Sequence, residues 1–261
     1  MDTMELIRTR KSVRTFDGKG VSEEDREKLS AYIRSIDNPY HIPVGFMILG
    51  AKKHGLSSPV ISGEHLYITA KVPKTEHCEE AFGYAFEKMV LYAWSLGIGT
   101  TWIGGTMKRE VFEREAGVTE GEIMPCVSPL GYPAKNRSVK EIAMRAAIRA
   151  DKRLPSDELF FENDFDTPLH TDDTAVQDAL EAVRLAPSAV NRQPWRIVKQ
   201  GNAYHFYEKK NVSGGGDWDV QKVDLGIAIC HFMEIAGGAL TVSKPDIAAA
   251  DDTEYIATVT L

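Results

Sequence analysis

The chain has 261 residues, 43% of them hydrophobic and 26% charged, with a formal net charge of −7. That length can bury a sizeable core as one large domain or two small ones, and the composition excludes disordered and fibrous classes. The acidic balance argues against a non-specific nucleic-acid binder, and no apolar run reaches the length of a bilayer, so neither nucleic acid nor a membrane is expected as a partner.

Near the start, residues 10–16 read Arg-Lys-Ser-Val-Arg-Thr-Phe. On an extended segment alternate residues face one way, so Arg10, Ser12 and Arg14 can converge on one anionic ligand through two guanidinium groups and a hydroxyl. Taken alone, the pattern also fits a solvated basic face. A helix start follows at Ser22-Glu23-Glu24-Asp25, with Leu29, Tyr32, Ile33 and Ile36 on its apolar side. A proline-bounded turn at 38–43 leads to a strand at 45–49, and a second strand is expected at 64–70. Residues 81–96 predict a helix apolar around most of its circumference, which belongs in a core. The glycines of Leu96-Gly97-Ile98-Gly99-Thr100-Thr101-Trp102-Ile103-Gly104-Gly105 permit either a helix cap and a relaxed strand, or close approach of a flat ligand. Residues 124–130 close this half with a strand.

The charged stretch 138–168, with Arg153 inside Lys152-Arg153-Leu154-Pro155, reads as a surface connection too polar to form a core element. Beyond it the pattern repeats. Thr171-Asp172-Asp173-Thr174 opens a helix carrying Val176, Leu180, Val183 and Leu185. The turn 187–194, Pro-Ser-Ala-Val-Asn-Arg-Gln-Pro, enters a strand at 195–198. A strand at 203–207, an apolar helix at 224–236 and a strand at 255–261 complete the second half, with residues 226–232 opposite 83–89. Each half reads helix, strand, strand, helix, strand, an α+β arrangement that suggests internal duplication. Ser213-Gly214-Gly215-Gly216 reads as a loop.

Asn191 and Gln193 carry both donor and acceptor groups, which suits a heterocycle edge, although the turn taken alone reads first as a loop whose polar groups cap backbone. Cys78, Cys126 and Cys230 show no CxxC spacing and are expected to be reduced, partly buried thiols. The amino terminus lacks a secretory pattern, which makes the cytoplasm the expected location and leaves the Asn136-Arg137-Ser138 and Asn211-Val212-Ser213 acceptor patterns without meaning. HExxH, GxSxG and GxGxxG patterns are missing, so metal, serine-hydrolase and Rossmann chemistry are not indicated.

Taken together, RKSVRTF, PSAVNRQPW, LGIGTTWIGG, PLGYPAKN and KRLP resemble the signatures of nitroreductase-like FMN-dependent oxidoreductases, in a subtype with the family homodimer fused into one chain. The resemblance implies an α+β nitroreductase-like fold of two pseudo-symmetric halves, 1–150 and 151–261, packed as one unit. It implies FMN as cofactor, NADH or NADPH as electron donor, and ping-pong transfer to a small electron-poor acceptor such as a nitroaromatic or quinone. No side chain is assigned as catalytic, because the flavin carries the chemistry. Carried over to this chain, Arg10, Lys11 and Ser12 belong to the phosphate and ribityl region, helped by Arg153. Arg14 lies near the pyrimidine edge, and Ile103, Gly104 and Gly105 beside the ring. Pro187, Ser188 and Asn191 close the site from the other half. A flavin sensor or storage protein, reductive dehalogenation and flavin destruction are the alternatives on the same scaffold.

Two departures point to a single site. The first-half counterpart of the 187–195 turn, residues 38–46, lacks the Ser and Asn pair. The second-half counterpart of 10–16, residues 162–167, has no arginine and contains Glu162, Asp164 and Asp166. One FMN per chain follows, on a monomer or weak dimer.

Overall fold

The computed structural model describes residues 2–211, 218–248 and 250–261; the 213–216 loop and most of the Asn211-Val212-Ser213 pattern lie outside the described residues. Helix α1 (Thr3–Thr9) is capped by Asp2, which accepts from the Glu5 amide. In α2 (Glu23–Ile33) the Ser22 hydroxyl accepts from the Asp25 amide, as the serine-plus-acids pattern predicts. Strand β1 (Gly45–Gly50), the single-turn α3 (Ala51–His54), β2 (Leu66–Pro73) and the long α4 (Cys78–Ser95) follow. After α5 (Arg109–Glu115), the short β3 (Glu122–Ile123) and β4 (Val127–Leu130) both pair antiparallel with β2, on the side away from β1.

The connecting region forms α6 (Val139–Ala147), a 3-10 turn at Ser156–Glu158 and β5 (Phe160–Glu162). The second half then runs α7 (Thr174–Leu185), β6 (Trp195–Gln200), β7 (Ala203–Lys209), α8 (Val220–Ala236), β8 (Ala239–Thr241) and β9 (Thr253–Thr260). Its sheet has the order β5-β6-β7-β9-β8. The expected repeat is present: α2, β1, β2, α4, β4 and α7, β6, β7, α8, β9 share element order and antiparallel pairing. Isolated bridges of Gly99 to Gly131 and Ile103 to Val127 match the pairing of β8 on β9.

The halves meet where α4 crosses α8. A Cβ on Gly83 would collide with the Val223 carbonyl, and one on Gly226 with the Glu80 carbonyl. The two glycines occupy equivalent positions, so the crossing is pseudo-symmetric, and the close approach excludes any larger side chain. On either side lie two cores: Phe82, Phe86 and Met89 with Ile68 and Leu130 in one, and Trp195, Phe206, Leu225 and Phe232 in the other. All three cysteines are free and buried. Among the described residues no helix is long and apolar enough to cross a membrane.

Two sequence expectations are corrected. The 138–168 segment is not confined to the surface: Leu159 and Phe160 are buried in the second core, and β5 adds a parallel strand to β6. The apolar run Leu159, Phe160 and Phe161 within the charged stretch gains its place by pairing with residues 197–199. Nor do residues 162–167 occupy the place equivalent to 10–16. They follow β5 at one edge of the sheet, whereas β8, which matches the 99–103 stretch, lies at the opposite edge.

Candidate functional site

Residues 10–16 leave the end of α1 in extended form and pass beside the glycine-rich stretch. The Val13 amide donates to the Thr100 carbonyl at 2.8 Å, and Ser12 bridges Thr100 in parallel. Val13 and Phe16 are buried anchors. A Cβ on Gly99 would lie 2.8 Å from Val13 Cβ. That glycine is therefore required by the arginine-bearing strand, whatever ligand lies nearby. Lys11 is exposed; with Ser12, Pro133, Lys135 and Arg137 it lines a cleft of about 380 Å³.

Beside these anchors the arginines turn inward. Arg10 is 5% exposed at its side chain, and its Nε lies 3.8 Å from Glu87 Oε1. Neither its Nε nor its Nη1 has a hydrogen-bond partner. Burial holds its pKa below the usual arginine value, Glu87 opposes that, and Arg145 adds to it. Arg14 also has a buried Nη1 without a partner. Its backbone amide donates to Glu141 Oε2 at 3.3 Å, and the same oxygen accepts from the Thr15 hydroxyl at 2.9 Å. Burial lowers the Arg14 pKa as well, with Glu141 raising and Arg145 lowering it. Helix α6 thus lies over the strand, held by the buried Glu141 carboxylate.

The second half supplies Arg153 and the turn that holds it. Arg153 Nη1 donates to Asn191 Oδ1 at 3.2 Å and Nη2 to the Leu185 carbonyl at 3.2 Å, while its Nε is buried without a partner. Burial, then Arg10, then Arg184 bring its pKa down to about 10. The influence of Arg10 places these two guanidinium groups, one from each half, in one electrostatic neighbourhood. Asn191 Nδ2 donates to the carbonyls of Arg149 and Lys152, and Gln193 Oε1 accepts from the Leu154 amide. Both amides therefore brace the 149–154 segment and do not present a free edge to a heterocycle. Ser188 Oγ accepts from the Gln193 amide at 2.9 Å, which leaves its own hydrogen to donate.

The turn is strained and clamped. Val190, Asn191 and Gln193 have φ of 44°, 58° and 52°, a region costly for a β-branched residue. The Ala189 amide donates to both oxygens of buried Asp224, 3.0 Å to each, which fixes the turn on α8. Pro187 is half-buried at its start. In the glycine-rich stretch Ile103 is buried and paired with Val127, while Gly104 and Gly105 are exposed. The Gly104 carbonyl accepts from Arg109 Nη2 at 2.6 Å. Trp102 Nε1 donates to Glu87 Oε2 at 3.1 Å, which links this stretch to Arg10 through one carboxylate.

Arg10, Arg14 and Arg153 each feel the repulsion of Arg145, with Ser12 on the extended segment of the first two and Asn191 holding Arg153. Ile103, Gly104 and Gly105 lie further along, where Ile103 bonds to Val127 and Gly104 to Arg109. Sequence reasoning missed Glu87, Glu141, Arg145, Asp224 and His231. The visible signals were an acid at Glu87 and a histidine at His231, each within a helix that is apolar around most of its circumference. Buried guanidinium groups that repel one another, with nitrogens left unpaired, fit an anionic ligand with several acceptor oxygens. A phosphate monoester meets that requirement, so the residues fit the phosphate end of FMN.

A family model described as "Putative TM nitroreductase" matches residues 2–236. The chain belongs to this nitroreductase family. Among solved structures, a "putative nitroreductase" from Thermotoga maritima is 22% identical, with a TM-score of 0.66 over 100% of this chain and 94% of that one. At that identity the likeness shows the shared fold alone. An FMN-dependent nitroreductase from Clostridium difficile is 16% identical, covering 51% of this chain and 88% of that one with a TM-score of 0.44. No curated protein matches the chain.

Proposed function

We propose that this nitroreductase-family chain is an FMN-dependent oxidoreductase that uses NADH or NADPH and holds one FMN per chain. The reading is carried by the three inward-facing arginines, Arg10, Arg14 and Arg153, each with a buried nitrogen lacking a partner. Bound FMN would supply the chemistry, accepting hydride from the nicotinamide and passing it, in ping-pong order, to an electron-poor acceptor.

The chain's own residues bind and orient. Arg10 and Arg153 take the phosphate, one from each side, with Ser12 adding a hydroxyl donor. Lys11, exposed at the mouth, adds positive potential at the entry. Arg14 places positive charge toward the pyrimidine edge, where it favours a reduced, anionic ring. Ile103 fixes the backbone from which Gly104 and Gly105 approach the ring. Pro187 and Ser188 close the site, and Asn191 acts through Arg153 by aiming its guanidinium. Because both halves contribute, a single chain suffices for a complete site, and a monomer or weak dimer is expected.

The test is a spectrum of the purified chain with FMN, followed by anaerobic addition of NADH or NADPH and then a quinone or nitroaromatic. Bleaching and recovery of the flavin band support the proposal. Bound flavin that neither nicotinamide reduces overturns the catalytic part and leaves a sensor or store; a chain that takes up no FMN overturns the whole reading.

A further inference from the structure

Behind Arg10 lies a buried group that the binding roles above do not use. Glu87 on α4 and His231 on α8 are wholly buried, with His231 Nε2 3.0 Å from Glu87 Oε1. The other ring nitrogen, Nδ1, lies 2.8 Å from the Ala182 carbonyl oxygen. A carbonyl only accepts, so Nδ1 carries a hydrogen. Nε2 and the carboxylate oxygen would oppose lone pairs at 3.0 Å unless a second proton lay between them. Whichever atom holds that proton, Glu87 and His231 together carry no net charge. The remaining carboxylate oxygen is filled by the Trp102 Nε1–H.

The surroundings leave the charge of Arg10 uncompensated. Its Nε is 3.8 Å from Glu87 Oε1, too far for a hydrogen bond. Lys88, next to Glu87 in the chain, is paired with Glu234 at 2.8 Å. Arg145, the other cation acting on Arg10, is itself paired with Asp151. With Gly83 opposite Gly226 in the repeat, the counterpart of Glu87 is Cys230, a buried thiol whose pKa burial raises well above the ordinary value. The acid–histidine pair thus exists only on the side that has the arginines.

We propose that His231 neutralises Glu87 and thereby reserves the charge of Arg10 for a phosphate monoester, making the pair the determinant of FMN over riboflavin. The inference rests on the FMN reading above. His231 and Glu87 are positioning residues: neither touches the ligand, and both act through Arg10. If His231 cannot hold the shared proton, Glu87 becomes anionic, takes Arg10 as its counter-ion and repels phosphate.

The test compares FMN and riboflavin affinities by flavin fluorescence in the wild-type chain, H231Q and E87Q/H231Q, with thermal unfolding as a fold check. The glutamine introduced by H231Q keeps a donor for Glu87 but cannot carry the extra proton. H231Q should lose FMN affinity by about tenfold or more while riboflavin affinity stays within about twofold. E87Q/H231Q, which removes the carboxylate charge, should recover FMN affinity. Equal losses for both flavins in H231Q, or a double variant no better than the single one, would overturn the assignment. The ¹⁵N-histidine NMR spectrum of the flavin-free wild-type chain tests it without any substitution. A protonated Nδ1 with Nε2 in a shared-proton hydrogen bond supports it, and a bare Nδ1 overturns it. Failure of the wild-type chain to bind either flavin would instead sink the FMN reading, and the NMR result would still judge the proton pair.

Discussion

A buried guanidinium without partners is costly, and Arg10 is one. In the proposed site an arriving anion would satisfy its unpaired nitrogens, so replacing it should affect ligand and fold in opposite directions. Arg10→Ala is expected to weaken FMN binding by about 1.5–3 kcal/mol, tenfold or more. The flavin-free protein should unfold at an unchanged or higher temperature, as paired calorimetry and flavin titration would show. Glu208 on β7 carries a different prediction: it is fully buried, neither carboxylate oxygen has a partner, and burial, helped by Asp219, pushes its pKa to about 7. The unfolded chain gives up this proton near the ordinary glutamate value of 4.5, the folded chain only near 7. Stability should therefore fall as pH rises across that window, by on the order of 3 kcal/mol, and then level off. In Glu208→Gln that loss should be missing from urea unfolding measured at about pH 4 and about pH 8, either side of the window. At this scale the sequence disclosed the arginines, because alternation around Ser12 is a local pattern. It hid the pairing of Glu87 with His231, and of Glu141 with Arg14, because those partners are 144 and 127 positions apart.

At the scale of elements, the caps at Ser22 and Asp173 and the apolar runs of α4 and α8 were legible because they obey local chemistry. Strand β5 was not, since three residues in a charged stretch acquire meaning only from a parallel neighbour some 35 positions later. The same blind spot misplaced residues 162–167: sequence order equated them with 10–16, while strand pairing sent them to the other sheet edge. The asparagine and glutamine of the 187–194 turn were legible as polar anchors, but which groups they anchor depended on where the 149–154 segment returns. The α4–α8 crossing supplies the sharpest element-level prediction. Gly83→Ala or Gly226→Ala places a methyl group against a backbone carbonyl with no flexible side chain to yield. Either change should destabilise the chain by about 3 kcal/mol, seen as a lower urea midpoint. Near wild-type stability in both variants would mean that the helices can separate freely.

On the scale of the whole molecule, the two halves share a fold but not a chemistry. The arginine-bearing strand pairs beside Thr100 in the first half, whereas β8 ends its sheet with no such strand at its outer edge among the described residues. The turn with Ser188 and Asn191 belongs to the second half, and its first-half counterpart instead uses Asn38 to tie its own loop, through bonds to Tyr40 and Ile42. Each half has therefore kept what the other lacks, and the parts meet on one side of the α4–α8 crossing. The missing Ser and Asn pair in residues 38–46 was readable in the sequence; the place of residues 162–167 and the route of the connecting segment, which brings Arg153 to Asn191, were not. The most direct measurement is a titration of the flavin-free chain with FMN, followed by absorbance and calorimetry against accurate protein concentration. Saturation at one FMN per polypeptide is the predicted result; saturation at two, or no saturable binding, would contradict the account.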